Sequence, residues 1–400
     1  MPVQPQPAPL LGNEGSPLNR LAPKILLSLA SLALALGAAE GVLRYKNPRS
    51  LRAEWVRKTI PYRQSHPVHG HGLVPGASGA NEEKGEFRVS YRINSLGLRD
   101  REFRPEPPAG TVRLLVLGDS FAEGFGVELG DAFVKVLERR LNDSPPRAGA
   151  RYETVNLGVA GFSPLLEYLF LKEQLPRLRG HFVLLSLDVT DFADDFHYQQ
   201  GAAWGPGGEP LRVNHAHLPP NHFSHTRQFL EALPGPPLGN LYAFRYLLYH
   251  AVRFTHGRWA EARLGRIEYD HHGWTRPGNP HQGEWEEQLG RSIGHILRIR
   301  DLAREAGMGF ALATHPHGHM VHPQAWCAGR RHLRYNCGMT YPSPLIAPLL
   351  RLCAEKGLAC WDLAEEFRRP DAPSLFFDFD GHFTPKGNGV MAGALERRLR

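Results

Sequence analysis

The chain reads as an α/β protein with a parallel sheet covered on both faces by helices, and two observations predict it. From Thr111 onward, strand-like and helix-like stretches alternate, the pattern of parallel sheets with crossover helices. The strand-like stretches VRLLVLGD (112–119) and HFVLLSLD (181–188) are continuous apolar runs, as strands buried on both faces are.

Residues 1–20 are Pro-rich and polar and are expected to be disordered. Residues 21–43 carry an apolar run from Ile25 to Ala39 between Lys24 and Glu40. At ~1.5 Å per residue this run spans ~22 Å, short of a ~30 Å hydrocarbon core. Val42 and Leu43 extend it, and Lys24 and Arg44 can snorkel. The segment is either a membrane anchor, a signal peptide cleaved near Gly37-Ala38-Ala39, or a buried helix. Residues 44–110 are expected to form a juxtamembrane linker and a small β pre-domain. GEFRVSYRINSLGLRD (85–100) alternates apolar and polar, then breaks at Asn94, Ser95 and Gly97.

The main domain is expected over 111–400. After the strand at 112–119, DAFVKVLERRLN (131–142) spaces Phe133, Val134, Val136, Leu137 and Leu141 as a helix does. YETVNLG (152–158) is a second strand. SPLLEYLFLKEQL (163–175) is a helix with Ser163 as its cap and proline in its first turn. The third strand is 181–188. Residues 197–283 lack periodicity and form an irregular insertion. A long helix over 284–307, a strand at 308–314, a helix around 341–356, a short strand at 358–363 and a helix from Lys386 to Leu399 complete the order. The aromatic residues of the insertion (Tyr198, Trp204, Tyr242, Tyr246, Trp259, Trp274) are read as core or lid packing, with a stacking platform for sugar rings as the alternative.

The formal net charge is +7, but residues 44–63 hold seven Lys/Arg against one Glu. The excess is local and no nucleic-acid motif accompanies it, so nucleic acid is not an expected partner. By the positive-inside rule this cluster would keep the following domain in the cytoplasm. Gly and Pro number 76 of 400 residues, or 19%, against an average of about 12%, which predicts long irregular segments. Cys327, Cys337, Cys353 and Cys360 lack C-x-x-C spacing, which disfavours a zinc ribbon. They are either free thiols or two local disulfides, 327–337 and 353–360, of an exported domain. Gly124, Gly126 and Gly130 fit neither nucleotide-binding glycine pattern. The histidines of HPHGHMVH (315–322) and NHAHLPPNHFSH (214–225) are read as loop residues; no metal and no cofactor is expected.

Ligands of parallel sheets bind at the carboxyl ends of the strands, where Ser120, Gly158, Asp188 and Thr314 fall. A serine hydroxyl needs a base to become a nucleophile, and the oxyanion it generates needs preorganised donors. FFDFDGHFTPKGNG (376–389) offers His382 as base, with Asp380 two residues before it able to reach Nδ1 in a curved loop. The N–H groups of Ser120 and Gly161 are candidate oxyanion donors, since glycine permits close backbone approach.

These blocks resemble the SGNH, or GDSL-type, hydrolases over roughly residues 111–200 and 370–400: GDSF holds Ser120, NLGVAGFS (156–163) holds Gly161, and the last block holds Asp380 and His382. The resemblance implies a three-layer α/β/α, flavodoxin-like fold and a Ser–His–Asp esterase acting through an acyl-enzyme. Two blocks depart. The family's G-x-N-D block is here Asp188-Val189-Thr190-Asp191, so Thr190 stands where an asparagine donates to the oxyanion and is expected either to donate in its place, beside Ser120 and Gly161, or to mark a pocket rebuilt for another acceptor. The acid lies two rather than three before the histidine, a spacing similar to the alginate-acetyltransferase branch; Phe379 occupies the usual position and Asp378 is the fallback acid. Asp119, Asp188, Asp191 and His315 are expected to line the pocket. The resemblance implies an O-acyl ester of a glycan or lipid as substrate, with an O-acetyltransferase for an exported polysaccharide, or a non-catalytic protein on a degenerate scaffold, as alternatives. It also implies a single-pass protein of the cytoplasmic membrane whose catalytic domain lies outside.

Overall fold

The computed structural model describes residues 17–46, 62–83, 85–214, 234–251, 282–331 and 335–400. The chain divides into two compact units, residues 1–57 with 222–257, and residues 58–221 with 258–400.

In the first unit, helix α1 (Pro17–Lys46) contains the stretch Pro23–Lys46, whose most apolar 18-residue window has a mean hydropathy of 1.9 and no buried residue. Its 24 residues span ~36 Å at ~1.5 Å each, so the helical segment is longer than the Ile25–Ala39 run suggested. It is apolar and long enough to cross a membrane, a property signal sequences share. A short 3-10 turn, Leu238–Asn240, leads into a helical stretch over residues 242–251.

The second unit opens with two antiparallel hairpins. Strand β1 (Arg63–His66) pairs with β2 (Gly70–Leu73), and β3 (Ser78–Glu83) with β4 (Phe87–Arg92). The main sheet then forms from β5 (Thr111–Gly118), β6 (Arg151–Gly158) and β7 (Phe182–Leu187), joined later by two further strands. Between them lie α2 (Ser120–Glu123), α3 (Phe133–Asp143), α4 (Pro164–Gln174) and α5 (Asp191–Gln199). A small hairpin follows, β8 (Ala202–Trp204) with β9 (Pro210–Val213). The chain ends with α6 (Gln282–Glu305), β10 (Gly309–Thr314), α7 (Ile346–Glu355), β11 (Cys360–Asp362) and α8 (Pro385–Leu399).

The five-stranded sheet is parallel throughout, in the order β6-β5-β7-β10-β11. Counted along the chain this is 2-1-3-4-5, the flavodoxin-like order, whose ligand crevice opens where the order reverses, between its first and third strands. Both faces of β5 are buried. Leu114 and Val116 pack with Phe133, Leu137, Met391 and Leu395 of α3 and α8. Leu115 and Leu117 pack with Leu165, Leu169, Ile293 and Ile296 of α4 and α6. Fully burying such side chains contributes about 1.5–3 kcal/mol each, which explains why Leu114–Leu117 carry no polar alternation.

Ser163 stands at the N-cap position of α4 without capping it: its hydroxyl donates to buried Asp195 at 2.7 Å. The expected irregular insertion contains the β8–β9 hairpin and the 242–251 helix; its turn and helix residues are too short or too mixed in sequence to show a period. The expectations for His215 to His225, Trp259, Trp274 and residues 1–16 of the disordered N-terminus lie outside the described residues, whereas residues 17–20, also expected to be disordered, form the first turn of α1. Both local cysteine pairs are joined, Cys327–Cys337 with Cα atoms 5.2 Å apart and Cys353–Cys360 at 6.2 Å.

Candidate active site

Strand β5 ends by handing the chain to a one-turn helix. Asp119 is the N-cap of α2, its carboxylate accepting the Phe121 N–H at 2.9 Å, so the acid before Ser120 has a local structural reason. Gly158 lets α2 rest directly on the end of β6: a Cβ there would sit 2.2 Å from the Glu123 nitrogen. Ser120 is thereby fixed at the switch point between β5 and β7.

The tail reaches the same point. In the turn before α8, Asp380 Oδ1 accepts the His382 backbone N–H at 3.2 Å and lies 2.6 Å from its Nδ1. His382 Nε2 lies 2.7 Å from Ser120 Oγ. Thr384 caps α8 by accepting from Gly387, and Pro385 follows in the first turn. Asp378 points elsewhere, accepting the Ala328 N–H at 3.3 Å. Burial pulls the His382 imidazole down, but the charge and hydrogen bond of Asp380 outweigh it, and its pKa is raised. Ser120 Oγ is also 3.0 Å from Asp119 Oδ2. Burial and the charge of Asp188 push the Asp119 carboxyl up to about 7.

Gly161 sits in a loop with φ of 79°, a conformation natural to glycine. Three contacts hold this loop: Ala160 N–H donates to buried Glu123 at 2.7 Å, His71 Nε2 lies 3.0 Å from the Ala160 carbonyl, and Tyr198 donates to the Gly161 carbonyl at 2.7 Å. Among the described residues, neither the Ser120 nor the Gly161 N–H has a hydrogen-bond acceptor.

Thr190 differs from its expected role. Its hydroxyl donates to Asp188 at 2.6 Å, and its N–H donates to the same oxygen. The single hydroxyl hydrogen is thus committed within an Asx turn, where an asparagine amide would have kept a second hydrogen free.

The expected pocket acids are buried beneath the serine. Burial alone would raise Asp188, but His317, 3.1 Å away, and His315 hold it far below the ordinary carboxylate range. Asp191 accepts the Asp188 N–H at 2.9 Å and is raised by burial and by the neighbouring charges of Asp188 and Asp119. His315 is buried against Phe121 and Phe383, with no hydrogen bond at either ring nitrogen among the described residues. It is therefore a core imidazole, pushed down to about 4 by burial. Two groups bring potential metal-ligand atoms within 4.8 Å of one another: His66, His69 and Glu173; and Asp119, Asp188 and His315. In the second, both carboxylates already accept protein hydrogen bonds.

The residues missed by sequence reasoning come from the N-terminal hairpins. The Glu86 carboxylate accepts the N–H groups of Phe379 and Asp380. Arg63 pairs with buried Glu123 at 2.6 Å. The buried guanidinium of Arg99 donates to the carbonyls of Glu123, Gly124 and Val127 around the turn after α2. The segment expected as a pre-domain thus touches the serine turn, the Gly161 loop and the Asp380 loop. The alternation over 85–100 located its strands, but no local signal marks which polar side chains face distant backbone.

Fold and site together define a flavodoxin-like α/β protein with a hydroxyl–imidazole–carboxylate array at its topological switch point. No family model matches the chain, and no curated protein does. Solved structures similar to it include a putative lipolytic protein of the G-D-S-L family from Desulfitobacterium hafniense DCB-2, at 10% identity over 72% of this chain and 98% of that one, TM-score 0.35. They also include the lipase/acylhydrolase from Enterococcus faecalis (11% identity, 72% and 95% covered, TM-score 0.37) and a carbohydrate acetylesterase family member from Sinorhizobium meliloti (12%, 72% and 97%, TM-score 0.36). The fold is defined by its own strand order, 2-1-3-4-5.

Proposed function

We propose that the protein is a membrane-anchored serine ester hydrolase of the SGNH type, acting on O-acyl esters of a glycan or lipid. The observation that carries this reading is the continuous array from Ser120 Oγ through His382 to Asp380, with contacts of 2.7 and 2.6 Å. Ser120 Oγ attacks the ester carbonyl while His382 Nε2 takes its proton. The N–H groups of Ser120 and Gly161 hold the oxyanion. The C–O bond breaks and His382 returns the proton to the leaving alcohol. Water, deprotonated by His382, then attacks the acyl-serine; the bond from the acyl carbon to Ser120 Oγ breaks, His382 returns the proton to that oxygen, and the acid is released. Asp380 stabilises the imidazolium in both halves.

The apolar helix α1 supports a single-pass anchor in the cytoplasmic membrane. The two disulfides support an extracytoplasmic catalytic domain, because such bonds persist in oxidising compartments.

The test is covalent labelling of the full chain with a fluorophosphonate, beside hydrolysis of p-nitrophenyl acetate. Adduct at Ser120, with labelling and turnover both lost in Ser120→Ala, is the expected result. Absence of both adduct and turnover in the wild type overturns the reading.

A further inference from the structure

The first unit has a feature that the proposed hydrolysis does not use: residues 238–251 are fastened to one end of α1. Glu40 bridges the two segments, accepting the Ala243 N–H at 2.7 Å on one carboxylate oxygen and pairing with Arg44 at 2.6 Å on the other. Arg44 donates to the Asn240 carbonyl at 3.0 Å, and its guanidinium lies 5.4 Å from the Tyr242 ring. Arg245 lies 5.2 Å from the same ring and donates to the Gly239 carbonyl.

Glu40 immediately follows the apolar run Ile25–Ala39. In a spanning helix, paired charges at the end of such a run, here Glu40 and Arg44 on either side of Val42 and Leu43, mark where hydrocarbon gives way to headgroups. The attached segment therefore begins at that level. Its composition suits the location: Tyr242, Tyr246 and Tyr249 are the aromatic type that collects at membrane interfaces, with Arg245 and His250 among them. Its large apolar residues are turned outward; Leu238, Leu241, Tyr246 and Leu247 are 50, 41, 44 and 62% exposed. In α1, Leu26, Leu27 and Leu34 are 66–77% exposed, and Val42, between the attachment residues Glu40 and Arg44, is 53% exposed.

We propose that residues 238–251 are a second membrane contact, lying in the headgroup region with Tyr246 and Leu247 in the acyl boundary. This rests on the reading of α1 as an anchor. The occupant is lipid because Glu40 and Arg44 fasten this exposed apolar segment to the charged end of the helix that the anchor reading places in the bilayer. The chain would then meet the bilayer twice, once through α1 and again between β9 and α6, so that the insertion is restrained at the membrane surface.

The experiment places an environment-sensitive nitrobenzoxadiazole probe on single cysteines in the full chain, whose native cysteines are paired. Leu247→Cys reports on the proposed contact, Leu32→Cys on α1, and Asp143→Cys on water. The chain is reconstituted in vesicles of phosphatidylcholine and phosphatidylglycerol carrying nitroxide lipids of shallow or deep label. The expected result is blue-shifted emission at position 247, quenched more by shallow than by deep nitroxides, with position 32 quenched more by deep ones. Water-like emission at 247 with quenching at 32 overturns the second contact and leaves the anchor standing. Blue-shifted but unquenched emission at 247 means protein covers the patch and also overturns it. Lack of quenching at both positions overturns the anchor and the contact together.

Discussion

Glu86 holds Asp380 by its backbone: the carboxylate on the β3–β4 turn accepts the Asp380 N–H at 2.9 Å and that of Phe379 at 2.6 Å. The two residues are 294 positions apart, so the hairpin sets the orientation of an acid that the chain delivers last. Hydrogen bonds to charged groups contribute about 1.5–3 kcal/mol each. Glu86→Ala is expected to lower kcat/KM by about 10- to 100-fold, and Glu86→Gln, which keeps one acceptor, by less. The alanine variant should also shift the acid limb of the pH profile downward, since His382 owes its raised pKa to Asp380. A lower rate with an unmoved limb would make Glu86 a fold-stabilising residue only.

The direction of the His382 shift sets the pH dependence of the proposed reaction. The base must be neutral to take the Ser120 proton, so kcat/KM rises as pH passes the folded pKa. That value is raised above 6.5 by Asp380, and half-maximal kcat/KM should lie above pH 6.5. In Asp380→Asn the limb should fall below the wild-type position and the rate should drop by orders of magnitude, about 10⁴-fold where such a change has been analysed in serine hydrolases. Rate measurements across the range on an activated acetyl ester check both.

The sequence already carried the sheet and the two ends of the array. Continuous apolar runs gave β5 and β7 because nothing but burial on both faces explains them, and G-D-S and D-x-H lie in short segments whose partners are internal. Thr190 and Glu86 were illegible for a different reason. Thr190 is committed by a side chain two residues away, and Glu86 binds backbone N–H groups that any residue could present. Neither contact leaves a spacing pattern in the chain.

Thr190 yields its own prediction. With its hydroxyl hydrogen on Asp188, it is not placed to hold the oxyanion. Thr190→Ala should therefore reduce kcat by less than about 10-fold, against the ~10²–10³ lost when a true oxyanion donor is removed. Single-turnover acylation rates on the same ester distinguish the two; a loss of 100-fold or more would return Thr190 to the oxyanion site.

Arg63 faces a carboxylate with no exposure to water. Glu123 also accepts the Ala160 N–H, so the pair ties β1 to the Gly161 loop. Removing one partner of a buried pair leaves an uncompensated charge, at a cost of about 3–5 kcal/mol. Arg63 is itself partly exposed, which places Arg63→Ala toward the low end, near 3 kcal/mol. The double variant Arg63→Ala with Glu123→Gln should recover much of that loss. Chemical unfolding of the detergent-solubilised chain measures both; equal stability of single and double variants would mean that the charge is satisfied elsewhere.

His315 predicts a pH-dependent stability difference. Burial pushes it down to about 4 from an ordinary 6.5, so between these values the unfolded chain binds more protons than the folded one. Its contribution to stability is full above 6.5 and is lost as pH falls toward 4. Asp119 works in the opposite sense. Its carboxyl is pushed up to about 7 from 3.8, so its share is present below 3.8 and lost as pH rises to about 7. The two partly cancel in the wild type, which hides both. Comparing the wild type with His315→Gln at each pH cancels the shared Asp119 contribution. Between about pH 7 and pH 5 the wild type should lose on the order of 2 kcal/mol relative to this variant. Urea unfolding at the two pH values reads the difference, and a gap that does not change with pH would show that His315 takes up its proton without leaving the core.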